Sequence, residues 1–445
     1  MTGNASDSKR IIRTQGLLSF QDPPRHRKGN LLIQNGQISA IGGIAGHNDA
    51  VISESPYLLM PAFLQLRADL RESFFERHFV ASQPHENFRY IQAPQAIQRL
   101  ETEEKNLSIS TGLQQMSACG TSCASHFFST FEEAKRIANL ISNQRFKGLF
   151  LLDLDDCNPK QIGSIIEQVT ALQSEHRTRV RFALYCRFPR KNLFVTMKKS
   201  VQLSYDFNIP LFVETCDLSL STIQNLLRKA DLRSKNISLI PLRLTGIEQL
   251  EVARLLSDEK LFVYFSPLFH LLMGESPPDL KAAIDAEVPL AISSMTGATR
   301  SQYNIFHELY HVRRWLSPHC NDAAVRTLRM ATLTPAKSAG IAAGQLGLDQ
   351  CADLVAIDVR NTKSTDVNHL ADLIIDGGQS QVRSLWINGE PIIIPRSTNH
   401  RTVRANTAVL TSLRTKLKHS SSPADSLMLN AKFRTKRLFL RLLGG

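Results

Sequence analysis

The chain has 445 residues, of which 42% are hydrophobic and 21% are charged, and its formal net charge is +13. This length suits two domains or one large α/β barrel with additions, and the composition is that of an ordinary globular protein. No apolar run is long enough to cross a bilayer and the first ten residues have no apolar core, so we expect a cytoplasmic protein. Seven cysteines in so long a chain do not suggest a disulfide framework, and we expect mostly buried, reduced thiols.

Strand–turn–strand patterns occur near both ends of the chain. Asn35-Gly36 separates two apolar runs in residues 31–41, and Asn388-Gly389 does the same in residues 382–392. Asn-Gly suits the positive φ angles of a type I′ turn, so each pattern predicts a hairpin. We expect the two ends to form one small composite β-sandwich domain, built from residues 10–58 and 336–395.

The middle of the chain alternates between strand and helix patterns. Thr130 with Glu133 forms a capping box that predicts a helix start, and Asn158-Pro159 predicts another. The apolar strand candidates lie near residues 61–66, 120–127, 147–153, 179–186, 210–215, 237–242, 261–266 and 289–294. Eight β/α units are typical of a closed parallel barrel. The predicted fold class is therefore α/β, with a (β/α)8 TIM barrel over residues 59–335.

The last segment, residues 396–445, reads as a basic C-terminal tail, with ten Lys and Arg between residues 401 and 441. Such a tail could contact nucleic acid, anionic lipid or an acidic partner, or remain a solvated extension without a target. Its two aromatic residues, Phe433 and Phe439, do not make the series of stacking rings that a single-strand binder uses, and the apolar residues 433–443 would give only a weak membrane anchor. The tail therefore carries no specific nucleic-acid or membrane signal.

Three segments carry a resemblance to a known family. Residues 29–42 are similar to that family's first sheet, and Gly120-Thr121-Ser122 to a Gly-Thr-Thr segment on its second barrel strand. Residues 331–358, which end in Ala-Asp-Leu-Val-Ala-Ile-Asp, resemble its return into the sheet domain. The family is the amidohydrolase superfamily, in particular its cytosine/guanine deaminase and triazine-hydrolase-like branch. The resemblance implies a divalent metal at the C-terminal mouth of the barrel, where it activates water for C–N bond hydrolysis.

The metal-ligand positions that the resemblance implies are substituted in this chain. The His-x-His pair of the first barrel strand corresponds to Arg67 and Asp69, and the His-x-x-Glu of the fifth strand keeps only Glu214. Arg243 stands at or next to the sixth-strand histidine, and Met295 at the eighth-strand aspartate. Arginine is always charged and has no free lone pair, so it cannot replace a metal-binding imidazole. We expect no bound metal and no other cofactor.

The substituted residues define a candidate site. Arg187 stands where the family has a substrate-side histidine on the fourth strand. Arg67, Arg187 and Arg243 are expected to converge with Asp69 and Glu214, either as structural ion pairs or as a pocket for an anionic small molecule. The favoured function is an amidohydrolase-like protein that has lost metal-dependent hydrolysis and acts as a binding or scaffold protein, alone, as a homodimer or with a protein partner. The alternative is a residual, metal-independent amidohydrolase or deaminase with Glu214 and Asp69 as acid/base groups.

One motif competes with this interpretation. His307-Glu308-Leu309-Tyr310-His311 is a literal His-Glu-x-x-His, which on a helix places two histidines on one face, as in zinc peptidases. No glutamate follows Glu308 until Glu390, so a third ligand at a suitable spacing is missing. The segment also corresponds to a helix outside the family's barrel, and a zinc peptidase is the least favoured alternative.

Overall fold

The computed structural model describes residues 9–43, 51–73, 97–98, 100–176, 178–187, 193–214, 237–240, 261–272, 280–285, 287–294, 303–359 and 362–392. Within these ranges, no helix is long and apolar enough to cross a membrane. Two sheets organise the fold, one with seven strands and one with eight.

The strands are numbered in chain order. They are β1 (Lys9–Ser19), β2 (Arg25–Gln34), β3 (Gln37–Gly42), β4 (Val51–Pro61), β5 (Phe63–Gln65), β6 (Thr121–Phe128), β7 (Lys147–Asp153), β8 (Val180–Arg187), β9 (Leu211–Glu214), β10 (Ile237–Ile240), β11 (Leu261–Phe265), β12 (Leu290–Ile292), β13 (Leu354–Ile357), β14 (Val382–Ile387) and β15 (Glu390–Ile392).

The helices are numbered in the same way. They are α1 (Thr102–Ala118), α2 (Phe131–Asn143), α3 (Ile162–Glu175), α4 (Leu193–Asp206), α5 (Pro267–Leu272), α6 (Lys281–Asp285), α7 (Ile305–Leu316), α8 (Ala323–Ala331), α9 (Leu333–Ser338) and α10 (Val367–Gly377). Short 3-10 turns occupy Leu70–Glu72 and Gly378–Gln381.

The seven-stranded sheet joins the two ends of the chain, in the order β15-β14-β13-β4-β1-β2-β3. Strands β1 and β4 are parallel, and the other neighbours are antiparallel. Both predicted Asn-Gly turns are confirmed, with φ of 53° at Asn35 and 78° at Gly36, and of 53° at Asn388 and 72° at Gly389. The two local turn signals therefore join β2 to β3 and β14 to β15, at the two edges of this sheet.

The eight-stranded sheet is parallel and runs in chain order from β5 to β12. All eight strands overlap the segments predicted from the sequence. Just beyond β5 and β12, the Arg67 backbone N–H donates to Ser293 Oγ at 3.1 Å, which links the first and last strands. Buried side chains fill the interior, among them Leu64, Leu149 and Phe212, as expected for a packed barrel core. The predicted α/β fold class is confirmed.

The two helix starts predicted from the sequence differ slightly from those in the structure. Thr130 Oγ accepts from Glu133 N at 3.3 Å at the start of α2, but the Glu133 carboxylate accepts from Ser129 N, one residue earlier than a capping box requires. Helix α3 begins at Ile162, after the predicted Asn158-Pro159 start. The Asn158 side chain accepts from Lys160 N at 3.1 Å, so this segment forms a turn before the helix.

A buried ion pair connects the barrel to the seven-stranded sheet. Lys147 Nζ, at the start of β7, lies 2.8 Å from both carboxylate oxygens of Asp353, which precedes β13. The same carboxylate accepts from Asn388 N at 2.9 Å in the β14–β15 turn. The two sheets are thus joined by side chains at the start of the barrel strands, opposite the mouth. The domain boundaries drawn from the sequence remain predictions.

Candidate functional site at the barrel mouth

The predicted site residues lie at the carboxyl ends of neighbouring barrel strands. Arg67 follows β5, and Arg187 and Glu214 are the last residues of β8 and β9. Arg187 lies opposite Glu214 in the β8–β9 ladder, and Asp153 lies opposite Tyr185 in the β7–β8 ladder. Because the strands are parallel, these side chains meet at the same end of the barrel, where sites of this fold class form.

The centre of the mouth is an ion pair between Arg67 and Glu214. Arg67 Nη2 donates to Glu214 Oε2 at 2.5 Å, and the two side chains are 5% and 2% exposed. The hydroxyl of Tyr185 donates to the same carboxylate oxygen. A guanidinium and a phenol thus donate to the same carboxylate oxygen, and the bond from Arg67 is charge-assisted.

Aromatic rings surround the Arg67 guanidinium. Its Cζ lies 5.3 Å from the ring centroid of Phe127 and 5.5 Å from that of Tyr185, and the two rings contact each other edge to face at 4.8 Å. Burial disfavours the charge of Arg67, but Glu214, Tyr185 and Asp69 together outweigh it and raise the pKa of Arg67 above its ordinary value. Burial and Glu214 together raise the pKa of Tyr185 well above its ordinary value, so its hydroxyl stays a donor.

The second carboxylate of the predicted site, Asp69, is held by a residue that the sequence did not single out. The Asp69 carboxylate accepts from Arg71 N at 3.0 Å, from Nε at 3.0 Å and from Nη2 at 2.8 Å. Burial favours protonation of Asp69, but the Arg71 guanidinium outweighs it and keeps the pKa of Asp69 below its ordinary value. Asp69 is therefore an ionised, locally paired side chain, and the structure records no hydrogen bond between it and Arg67.

Arg187 faces a group of aspartates. Its Nη2 lies 2.9 Å from Asp153 and 3.5 Å from Asp156, and its backbone N–H donates to Asp155 at 2.6 Å. Burial raises the pKa of Asp153 to about 6, against the lowering effect of Arg187. This cluster lies beside the Arg67–Glu214 pair, since Arg187 and Glu214 are ladder neighbours.

The structure thus brings four of the five predicted site residues to one mouth, where they belong to three neighbouring ion-paired groups. Arg67 contacts Glu214, while Asp69 and Arg187 each bind other partners. Arg243 and Met295 lie outside the described residues. The sequence reading missed Tyr185 as well as the partners Arg71 and Asp153. Tyr185 had a signal, because it lies two residues before Arg187 and so points to the same side of the strand.

The His-Glu-x-x-His segment forms part of α7 outside the barrel. Glu308 is fully buried and accepts from Ser266 Oγ at 2.8 Å and from Leu268 N at 3.0 Å, while His307 is exposed to solvent. Burial raises the pKa of Glu308 to about 7. The glutamate thus joins α7 to the end of β11 and the start of α5, and this geometry lends no support to a zinc peptidase.

The chain and its fold are similar to several known proteins. No family model matches. The 5-methylthioadenosine/S-adenosylhomocysteine deaminase of Pyrococcus furiosus is 22% identical over 408 residues, 86% of this chain and 95% of that protein. A zinc-bound adenosine deaminase from Xanthomonas campestris has a TM-score of 0.73 at 18% identity, covering 92% of this chain and 99% of that one. A triazine hydrolase variant has a TM-score of 0.74 at 14% identity, covering 90% and 99%.

These relatives agree with the fold. The chain is a (β/α)8 barrel with a composite β domain, and its resemblance to the amidohydrolase superfamily is confirmed. At these identities, the solved structures show the shared fold alone.

The resemblance implies a divalent metal at the barrel mouth of the family, and the described residues of this chain do not fit one. Among them, no group of three or more His, Cys, Asp and Glu side chains is arranged to hold a metal ion. Glu214 is engaged by Arg67 and Tyr185, and Asp69 by Arg71. A guanidinium in the centre of the mouth would also repel a cation.

Proposed function

We propose that this chain is an amidohydrolase-like protein that has lost metal-dependent C–N bond hydrolysis and acts as a binding or scaffold protein. The observation that carries the proposal is the buried Arg67–Glu214 ion pair at the mouth. Arg67 follows the first barrel strand and Glu214 ends the fifth, which are two of the strands that carry metal ligands in the resembled family. In this proposal a positive side chain stands where the family's metal would lie.

The chemical consequence is the loss of the nucleophile. Metal-dependent hydrolases obtain hydroxide near neutral pH because the metal lowers the pKa of a bound water to about 7. Arg67 cannot bind water as a Lewis acid, since its nitrogens carry protons and no free lone pair. Its five hydrogen-bond donors suit instead a structural contact with a carboxylate. In this proposal the hydrogen bonds of Arg67 and Tyr185 to Glu214 are structural contacts that hold the first, fourth and fifth barrel strands together.

The alternative, a metal-independent hydrolase with Glu214 and Asp69 as acid/base groups, has less support. A general base works best with a pKa near the operating pH. Arg71 keeps the pKa of Asp69 below its ordinary value, and Glu214 is bound by two donors. Neither carboxylate is poised to exchange a proton with a substrate.

An activity assay separates these proposals. Purified protein supplied with zinc would be incubated with adenosine, 5-methylthioadenosine, S-adenosylhomocysteine or guanine, and ammonia release would be measured. We expect no release above that of a matched Arg67→Ala, Glu214→Gln double variant. Turnover that survives chelation and is lost in Glu214→Gln would favour the metal-independent hydrolase. Turnover that requires zinc would overturn the loss of metal chemistry.

A further inference from the structure

The outer face of α7 carries an exposed tyrosine between two arginines. Tyr310 is 38% exposed. The Cζ atoms of Arg313 and Arg314 lie 5.9 Å and 5.8 Å from its ring centroid, and Arg314 Nη1 donates to the Tyr310 hydroxyl at 3.1 Å. Because an α-helix turns by about 100° per residue, Arg313 and Arg314 lie on opposite sides of the Tyr310 position, one turn further along the helix. The tyrosine ring therefore marks the middle of this face.

The two arginines differ in their partners. Arg313 binds two aspartates of α10, with Nη1 2.9 Å from Asp372 Oδ1 and Nη2 2.6 Å from Asp376 Oδ1. These two carboxyl side chains are 44% and 50% exposed, so both remain accessible to a partner. Arg314 is exposed, and no carboxylate in the described part of the chain lies within ion-pair distance of it. One side of Tyr310 thus has two carboxylates on one arginine, and the other side has an arginine without a carboxylate.

The side chains of this face are ordered by contacts with one another. Arg313 is held by its two ion pairs and Arg314 by its hydrogen bond to Tyr310. The His311 ring lies 5.7 Å from the Tyr310 ring, edge to face, and 6.4 Å from the Trp315 ring. Tyrosine, tryptophan and arginine are enriched among the residues that dominate binding at protein interfaces. Because side chains that are already ordered lose little freedom on binding, this face is suited to a protein partner.

The charges of this face indicate which partner fits. The charges of Arg313, Arg314, Asp372 and Asp376 sum to zero, in a chain whose net charge is +13. A partner of a single sign, such as a nucleic acid or a strongly acidic peptide, would be attracted by one side of the face and repelled by the other. A second copy of the same face is complementary, because a two-fold axis through Tyr310 exchanges its two sides.

We propose that two copies of the chain associate through this surface, which we call the α7–α10 face and define by Tyr310, Arg313, Arg314, Asp372 and Asp376. The two-fold axis runs close to Tyr310, so that the two tyrosine rings pack together. Arg314 of each copy then pairs with Asp376 of the other, which gives two identical contacts. The proposal is independent of whether the barrel mouth has lost its metal chemistry, because no residue of the α7–α10 face lies at the mouth.

Size-exclusion chromatography with light scattering tests the proposal on the full chain. Protein concentrations of about 1 to 100 µM cover the range in which interfaces of modest affinity dissociate, and the wild type should form a dimer within it. Arg314→Glu and Asp376→Lys each place like charges together at both contacts, so each should raise the Kd of the dimer on the order of 100-fold. Tyr310→Ala should raise it at least about tenfold.

Mixing the two charge-reversed variants is the decisive measurement. In a dimer of one Arg314→Glu chain and one Asp376→Lys chain, the two substituted side chains meet at one contact, and the native Arg314 and Asp376 meet at the other. Both contacts again join opposite charges. The equimolar mixture should therefore dimerise about as tightly as the wild type, whereas each variant alone is monomeric.

The matched controls reverse the charges of an exposed ion pair on α6. Lys281→Glu and Asp285→Lys change the net charge by the same amounts as the two test variants, and the native side chains are 60% and 58% exposed. Each control should dimerise like the wild type. Thermal unfolding followed by circular dichroism shows whether every variant is folded, and recovery of the dimer on mixing shows independently that both test variants are.

Three results would overturn the proposal. The first is a wild type that stays monomeric at the highest concentration. The second is a wild-type dimer that none of the three variants of the α7–α10 face weakens, since the interface would then lie elsewhere. The third is a mixture of Arg314→Glu and Asp376→Lys that stays monomeric although both variants are folded, because that would exclude the contact between Arg314 and Asp376.

Discussion

Replacing Arg67 with methionine tests the structural role of the buried ion pair. Methionine is an apolar side chain of similar length, and it removes the guanidinium that lies over the Phe127 and Tyr185 rings and pairs with Glu214. Removing one partner of a buried pair leaves an uncompensated charge and typically costs about 3–5 kcal/mol of unfolding free energy. Because both side chains are almost fully buried, we expect Arg67→Met to fall within that range.

Guanidinium chloride unfolding, followed by circular dichroism, measures this loss. The control is Arg13→Met, which removes an ion pair of similar chemistry, Arg13–Glu54, whose side chains are 52% and 73% exposed. Exposed pairs contribute about 0–1 kcal/mol. The double variant Arg67→Met, Glu214→Leu should lose less stability than the two single variants added together, because neither charge is then left unpaired. A loss in Arg67→Met no larger than in Arg13→Met, or simple additivity in the double variant, would refute the reasoning.

Three further predictions follow from other contacts. Burial raises the pKa of Glu308 from 4.5 to about 7, so the folded state holds this proton more tightly. Unfolding free energy should therefore fall as pH rises from about 4.5 through 7, and Glu308→Gln should flatten that slope; an unchanged slope would contradict the assignment. Gly389→Ala should cost about 1–3 kcal/mol, because φ is +72° and the new Cβ would lie 2.5 Å from Ile33 Cγ2; full stability in thermal unfolding would show that the turn relaxes. If the mouth binds an anion, Arg67→Ala should abolish thermal shifts across a panel of anionic metabolites, and a wild type that no member stabilises would exclude this pocket.

The fold was predictable from the sequence because its signals are local. Asn35-Gly36 and Asn388-Gly389 need only their own backbone angles to form a turn, and both do. The barrel strands are short apolar runs that are buried on both faces, so their position is set by composition rather than by distant partners. The prediction that a helix begins at Asn158-Pro159 was wrong for a local reason. The Asn158 side chain accepts from Lys160 N and forms a turn, so α3 begins at Ile162.

The partners within the candidate site were less predictable. Which carboxylate a guanidinium meets depends on barrel register and on side-chain reach, neither of which a single sequence specifies. Arg67 and Asp69 are two residues apart and looked like members of one cluster, yet Arg67 crosses the mouth to Glu214 while Asp69 turns back to Arg71. Arg187 likewise meets Asp153 on the preceding strand, a contact set by the β7–β8 pairing.

The most direct test of the central claim is the zinc content of the full chain, measured by mass spectrometry after dialysis against zinc and removal of the free metal. The account predicts zinc well below one ion per chain, unchanged in Glu214→Gln and in His307→Ala. One tightly held zinc ion per chain that is lost in Glu214→Gln would show that the barrel mouth still binds its metal, and would contradict the claim. A stoichiometric ion lost instead in His307→Ala would place the metal on α7 and revive the zinc-peptidase alternative.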